Sequence, residues 1–383
     1  MDCKESDFQL DHSFTYLNCA YMSPMLKEVE QAGIIGVQRK RNPFKISPEE
    51  FFGETDQLRE EYAKLINAKD SKRIVVIPSV SYGMANVANN VPISKGDNII
   101  VVGEQFPSNV YPWRSVVKEK GGEIITITPP KAPEDRGKIW NENILNAINE
   151  QTKLVAVGNI HWADGTLFDL KAIRKRTNEV GAWLAIDGTQ SVGALPFDIK
   201  EIQPDALICA GYKWLMGPYS IGLAYYGPAL DEGNPVEENW INRYESENFA
   251  NLVNYNDEYQ PGALRYEVGE HSNFILVPMM LKAVQLLNEW GIENIQEYCR
   301  NLIADSVKRL QEAGFHIEDE NYRASHLFGI RLGKKHDMDQ IKKTFDEHNI
   351  LVSFRGDSIR VSPNVYNSPK DIANLTDALL NDF

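Results

Sequence analysis

Asp187, Gln190 and Lys213 follow two apolar runs, in Ala185-Ile-Asp-Gly-Thr-Gln-Ser191 and Ala210-Gly-Tyr-Lys-Trp-Leu-Met-Gly217. A lysine amine can hold an aromatic aldehyde as a Schiff base, and a carboxylate can keep a pyridine nitrogen protonated. Those two groups are what pyridoxal 5′-phosphate requires of a protein. Singly, each residue has a plainer reading: Asp187-Gly188 as a surface turn, Lys213 as a solvated charge. As a spaced pair, each after its own apolar run, they argue for the cofactor, with Lys213 and Asp187 as the catalytic residues.

Such a pair must be positioned by a buried sheet. Short β-branched or apolar runs recur at 74–77, 99–102, 124–127, 154–157, 183–186 and 206–209, separated mostly by stretches with helical signals. Continuous apolar runs alternating with helices predict an α/β fold with a mainly parallel sheet covered on both faces. Ligands collect at the carboxyl ends of such strands, where Ser79, Asp187 and Lys213 fall.

Ser47-Pro-Glu-Glu50 has the form of a capping box with proline at the first helical position, which predicts a helix toward Leu65. Ser23-Pro24 predicts another helix start. Residues 234–261 are polar and aperiodic, a long loop with some helix at the rim of a site. Beyond them, helical periodicity at 274–287 and 292–310 precedes alternating strand and helix signals at 326–332, 338–348, 350–354 and 371–380. We therefore expect a large cofactor-binding domain over 15–262 and a small α+β C-terminal domain over 263–383, joined by 1–14.

With 383 residues, 43% hydrophobic and 25% charged, the chain has globular composition and room for two domains. A net charge of −14 argues against nucleic acid or an anionic membrane as partner, since both call for a basic face. Cys3, Cys19, Cys209 and Cys299 are far apart without C-x-x-C spacing and are expected to be reduced thiols. No basic leader with an apolar core and no run of 18 apolar residues occurs, so a cytoplasmic protein is expected. The chain contains neither G-x-G-x-x-G nor G-x-x-x-x-G-K-[ST], and its seven histidines form no H-E-x-x-H. No metal site is expected.

Across most of its length the chain resembles the class V aminotransferase family, the fold-type I pyridoxal phosphate enzymes that include cysteine desulfurases, kynureninase and isopenicillin N epimerase-like proteins. Besides the two motifs above, the likeness rests on Tyr16-Leu-Asn-Cys-Ala20, Ser79-Val-Ser-Tyr-Gly83, Glu104-Gln-Phe-Pro-Ser-Asn-Val-Tyr-Pro-Trp113 and the 158–170 segment around His161-Trp162. It continues through Arg265-Tyr-Glu-Val-Gly-Glu-His-Ser-Asn273 and the ending from Ser353 to Asn367.

The resemblance implies a large domain with a seven-stranded, mainly parallel sheet. It implies that the phosphate sits at Val80 and Ser81, where free backbone N–H groups open a helix, with Tyr212 as a further phosphate ligand. Phe106 would stack on the pyridine face. Trp162 and Gln190 would lie near the phenolic oxygen. Ser272 or Asn273 would reach the phosphate of a second subunit, in place of the family's threonine, where this chain has Glu270. His161 is expected in the core. Arg360 would receive the α-carboxylate of a small-molecule amino acid substrate, with Arg355 as the competitor. A homodimer with the site at its interface follows.

A desulfurase needs a mobile cysteine ahead of the C-terminal arginine, and the 352–359 segment is short and has none. An aminotransferase is the leading expectation. The alternatives are kynureninase-like or cysteine-lyase-like C–C or C–S cleavage, epimerisation, and a non-enzymatic role as a regulatory protein that binds the cofactor.

Overall fold

The computed structural model describes residues 1–332 and 337–381. A short strand, β1 (Thr15–Tyr16), precedes helices α1 (Lys27–Arg39) and α2 (Gly53–Leu65). The large sheet then follows as β2 (Ile74–Ile77), β3 (Asn98–Val102), β4 (Glu123–Ile127), β5 (Thr152–Gly158), β6 (Trp183–Asp187), β7 (Ala206–Ala210) and β8 (Gly222–Tyr226). Between its strands lie α3 (Val80–Asn90), α4 (Tyr111–Lys120), α5 (Arg136–Ala147), α6 (Leu170–Val180) and α7 (Ile199–Ile202).

The seven strands are ordered β2-β8-β7-β6-β5-β3-β4. From β7 to β4 the sheet is parallel, whereas β8 runs antiparallel to both β7 and β2. Two reversals restore direction, so β2 points the same way as β7. The residues after β2, β6 and β7, and those before β8, therefore meet at one edge.

Side-chain alternation explains how the sheet is covered. Ile74, Val76, Ile100 and Val102 enter the apolar cluster on one face, while Val75, Ile77, Ile99 and Val101 enter the cluster on the other. A strand buried on both faces has no polar side, which is why these runs read as continuous.

The C-terminal part contains α8 (Leu276–Trp290), α9 (Ile292–Glu312), β9 (His316–Ile317), β10 (Phe328–Arg331), α10 (Met338–Glu347), β11 (Ile350–Leu351), β12 (Ser353–Arg355), β13 (Ser358–Val361) and α11 (Pro369–Asn381). Its antiparallel sheet is ordered β12-β13-β10-β9 over a separate core that includes Ile303, Phe328, Ile341, Phe345, Ile359 and Leu375. The N-terminal β1 pairs in parallel with β11, and Leu17 is buried in the same core.

Several local expectations are corrected. At Ser23-Pro24 no helix starts: both the N–H and the hydroxyl of Ser23 donate to the Tyr212 carbonyl, at 3.0 and 3.3 Å, and the helix begins at Lys27. The helix expected over 47–65 is split into a 3-10 turn (Pro48–Phe51), in which the Ser47 N–H donates to Glu50 Oε2 at 2.8 Å, and α2. Helix α8 sends Val277, Met280, Val284 and Leu287 into the large-sheet cluster, so it does not share the core of the small sheet.

Candidate active site

Strand β6 ends at Asp187 and β7 at Ala210, adjacent in the sheet, and the chain tightens at both ends. Asp187 Oδ1 accepts the Thr189 N–H at 3.1 Å, and Thr189 Oγ1 accepts the Ala210 N–H at 3.2 Å. Thr189 thus ties the turn that carries the carboxylate to the strand that delivers the lysine. Sequence reasoning passed over it because a threonine beside glycine reads as an ordinary turn residue.

These groups line a cavity of about 330 Å³, within the size range of small-molecule sites. Asp187, Thr189 and Gln190 come from the β6 end, Tyr212 and Lys213 from the β7 end, and Ser220 and Ile221 precede β8. Pro78, Ser79, Val80 and Ser81 follow β2, while Phe106, Ser108 and Trp162 complete the wall. The structure therefore gathers Asp187, Gln190, Lys213, Val80, Ser81, Phe106, Trp162 and Tyr212 around one space.

Lys213 is 7% exposed, and among the described residues no carboxylate pairs with it. Burial pushes its amine down from the ordinary 10.5 to about 8; the nearby charges of Arg360 and Arg355 push the same way and Asp187 opposes them. Its Nζ lies 5.6 Å from the ring centroids of both Phe106 and Tyr212. The carboxyl of Asp187 is pushed up by burial, against the Thr189 hydrogen bonds and the Lys213 charge. A cationic ring nitrogen beside it would relieve that cost.

At the other end of the cavity, Ser79 caps α3 by accepting the Tyr82 N–H at 3.2 Å. The Ser81 and Ser108 hydroxyls lie 3.1 Å apart. First-turn N–H groups have no helical acceptor and favour an anion, and two hydroxyls add donors.

Two expected contacts are narrower than the sequence suggested. The Trp162 indole N–H is committed to the Glu104 carbonyl at 2.7 Å, and its ring meets Phe106 edge-on at 5.4 Å, so Trp162 supplies shape rather than a donor. Gln190 is held by Trp214, which donates to its Oε1 at 2.9 Å, while its Nε2 donates to the Ala20 carbonyl at 3.2 Å. One Nε2 hydrogen remains for a ligand. Ser272 and Asn273 do not line this chain's cavity; Asn273 Oδ1 accepts the N–H groups of Ile275 and Leu276 ahead of α8.

Arg360 belongs to β13 of the small sheet, yet its side chain reaches the loop that carries Trp162. Nη1 donates to the Trp162 carbonyl at 2.7 Å and Nη2 to Ser353 Oγ at 3.1 Å. The residue is 1% exposed, its Nε has no partner, and no carboxylate among the described residues pairs with it. Burial, with Arg355 next, lowers its pKa to about 10. A buried guanidinium without a counter-ion is costly and calls for an anionic ligand.

His161 is a core residue, packed on Trp140 and Phe168, with Nδ1 3.3 Å from Asp164. Asp164 also binds Arg136 and Arg331 at 3.3 and 2.7 Å, joining α5 and β10 to the Trp162 loop. Burial works against its charge, but His161 and Arg331 hold the carboxyl well below the ordinary range. Gly165, next in the chain, has φ +80°, and a Cβ there would lie 2.6 Å from the Leu327 carbonyl. Sequence motifs gave no sign of this junction, since its partners are distant in the chain.

The model for class V aminotransferases matches residues 47–374. This chain belongs to that family. An uncharacterised aminotransferase of Bacillus subtilis strain 168, YcbU, is 26% identical over 340 residues, covering 85% of this chain and 83% of the relative. A cysteine desulfurase of Escherichia coli O8 is 25% identical over 304 residues, 78% of this chain and 71% of the relative. Among solved structures, the apo cysteine desulfurase of Thermococcus onnurineus NA1 superposes with a TM-score of 0.83 at 19% identity, covering 100% and 98% of the two chains. The cystine C–S lyase C-DES gives 0.82 at 20% identity, covering 96% and 98%. These likenesses establish the α/β fold.

The cofactor of the family is pyridoxal 5′-phosphate, and the residues present fit it. The cavity offers a buried amine, a buried carboxylate and an anion cradle, each at a different point of its wall.

Proposed function

We propose that this protein is a pyridoxal phosphate-dependent aminotransferase that acts on a small amino acid and an oxo-acid partner. The observation that carries the reading is Lys213: a buried, unpaired amine facing a cavity that Asp187 also lines.

In this reading Lys213 Nζ would anchor the cofactor aldehyde, and Asp187 would hold a proton on the pyridine nitrogen. The N–H groups of Val80 and Ser81, with the hydroxyls of Ser81 and Tyr212, hold the phosphate. Phe106 and Trp162 wall the ring. When bound, the cofactor supplies an electron sink for bonds at the substrate α-carbon. Arg360 fixes the α-carboxylate, which orients the α-hydrogen toward Lys213. With its pKa lowered to about 8 by burial, the Lys213 amine is partly neutral at physiological pH and would be placed to take that proton and hold it on the same face.

The cavity wall favours transamination over epimerisation and desulfuration. Its titratable side chains are Asp187, Lys213, Tyr212 and Tyr219, and burial raises the pKa of Tyr212. One base on one face suffices for the proton transfers of transamination. Two-base epimerisation needs a second acid–base group on the opposite face. A desulfurase needs an accessible thiol. Here Cys19, Cys209 and Cys299 are buried and burial raises the pKa of all three thiols, the half-buried Cys3 thiol donates to the Asn367 carbonyl at 3.6 Å outside the cavity lining, and the β12–β13 turn is only Gly356-Asp357.

A homodimer is part of the proposal. The exposed side of α1 carries Ile34, Ile35 and Val37, an apolar surface suited to a second copy, and Ser272 or Asn273 would reach the partner's phosphate. So is a cytoplasmic location, consistent with four free cysteines. Among the described residues no helix is long and apolar enough to cross a membrane.

Single-turnover reaction of the holoenzyme with a panel of L-amino acids tests the reaction. We expect one 2-oxo acid per site with the amino group retained by the enzyme, then passed to an added oxo acid. Release of alanine with a second fragment, or solvent deuterium uptake with inversion, would overturn transamination.

A further inference from the structure

The hairpin formed by β12 and β13 presents a second cation beside Arg360. Its register pairs Ser353 with Arg360, Phe354 with Ile359 and Arg355 with Ser358. Directly opposed residues share a face and successive residues alternate. Ile359 lies in the small-domain core with Phe354 packed against it, so Ser353, Arg355, Ser358 and Arg360 are all on the other face. Arg355 and Arg360 are diagonal neighbours on that face, about 7–8 Å apart at their backbones.

Arg355 donates from Nη1 to its neighbour's carbonyl, Phe354 O, at 2.8 Å, and its Nε is buried without a partner. Its guanidinium carbon lies 5.4 Å from the ring centroid of Trp162, a wall of the cavity. Asp357, the nearest carboxylate in sequence, pairs with Arg331 at 3.4 Å. Among the described residues no carboxylate pairs with Arg355 or Arg360.

The charge balance decides what these groups can bind. Lys213 and Asp187 line the cavity, and Arg355 and Arg360, which do not, adjoin it through Trp162, so three formal positive charges stand near the site against one negative. The cofactor phosphate is accounted for at the α3 end. One α-carboxylate then answers Arg360 and leaves Arg355 uncompensated.

We infer that Arg355 is a specificity residue that receives a second carboxylate, so that the preferred substrates are dicarboxylic amino acids and their oxo acids. This rests on the site assignment made above for Arg360. The planar fork of Arg355 suits a carboxylate in bidentate fashion, and Trp162 holds the guanidinium from one side.

Calorimetric titration of the holoenzyme with glutarate and with butyrate tests the inference without turnover. Wild-type protein is expected to bind glutarate at least tenfold more tightly. Arg355→Ala should abolish that preference while leaving butyrate affinity within about threefold, and Arg355→Lys should restore part of it. Arg360→Ala should weaken both ligands. Equal affinity in the wild type, or a preference that survives Arg355→Ala, would overturn the assignment. If glutarate is preferred as described but no amino acid reacts with the holoenzyme, the proposed function fails and the dicarboxylate site stands.

Discussion

Arg360 donates from Nη1 to the carbonyl oxygen of Trp162 at 2.7 Å, which holds a cation of the small sheet against the wall of a cavity in the large one. The proposed substrate anchor and the proposed cofactor pocket therefore meet where two cores adjoin.

Arg360→Ala should leave cofactor capture intact and weaken amino-acid binding by roughly 2–3 kcal/mol, the scale of lost charge-assisted hydrogen bonds. Steady-state kinetics with the preferred amino acid would show this as a raised KM. An unchanged KM would move the α-carboxylate to Arg355.

Asp187→Asn should still bind the cofactor, because the lysine and the phosphate cradle remain. Turnover should fall on the order of 10²- to 10³-fold, the scale of losing one preorganised electrostatic group. Retention of full turnover would remove Asp187 from the chemistry.

Burial of Lys213 gives the cofactor-free protein a pH signature. The folded state binds its proton with a pKa near 8 and the unfolded chain with the ordinary 10.5. Between those values the unfolded state holds more protons, so this group's contribution to stability rises with pH across that window. Below pH 8 the buried charge costs up to about 3 kcal/mol. Lys213→Met should raise the melting temperature of the cofactor-free protein at pH 7 and flatten the pH dependence between 8 and 10.5. A lower melting temperature at pH 7 would mean that the charge is compensated.

Asp164→Asn leaves Arg136 and Arg331 without their shared carboxylate at the junction between α5 and β10. Breaking a buried pair from one side costs about 3–5 kcal/mol. Chemical denaturation should show a loss of that order, and a change below 1 kcal/mol would show that the junction tolerates the loss. Because the folded carboxyl lies below its ordinary 3.8, its contribution is present above that pH and is lost as pH falls through the folded value.

Much of the sheet was legible because its inner strands are buried on both faces and carry β-branched residues, as Asn98–Val102 does, while the edge strand Glu123–Ile127 is less buried but equally rich in isoleucine and threonine. Strand β8 was not among the apolar runs, since Gly-Leu-Ala-Tyr-Tyr has no β-branched residue and only its place between β2 and β7 makes it a strand. Ser23-Pro24 has the local form of a helix start, but Ser23 is tied to the Tyr212 carbonyl, a contact nearly two hundred residues away. The same distinction runs through the site. Asp187 and Lys213 announce themselves by following apolar strands, whereas the unpaired state of Arg355 and Arg360 depends on which carboxylates the fold brings near. Trp162 shows the limit most plainly: its position could be read from the chain, but the commitment of its N–H to Glu104 could not.

Covalent anchoring at Lys213 is the claim on which the rest stands. Pyridoxal 5′-phosphate incubated with the purified protein, trapped with borohydride and mapped by peptide mass spectrometry, should be found on Lys213 at one equivalent per chain. Lys213→Ala should carry none. Stoichiometric label on another lysine with Lys213 unmodified, or no label at all, would contradict the account.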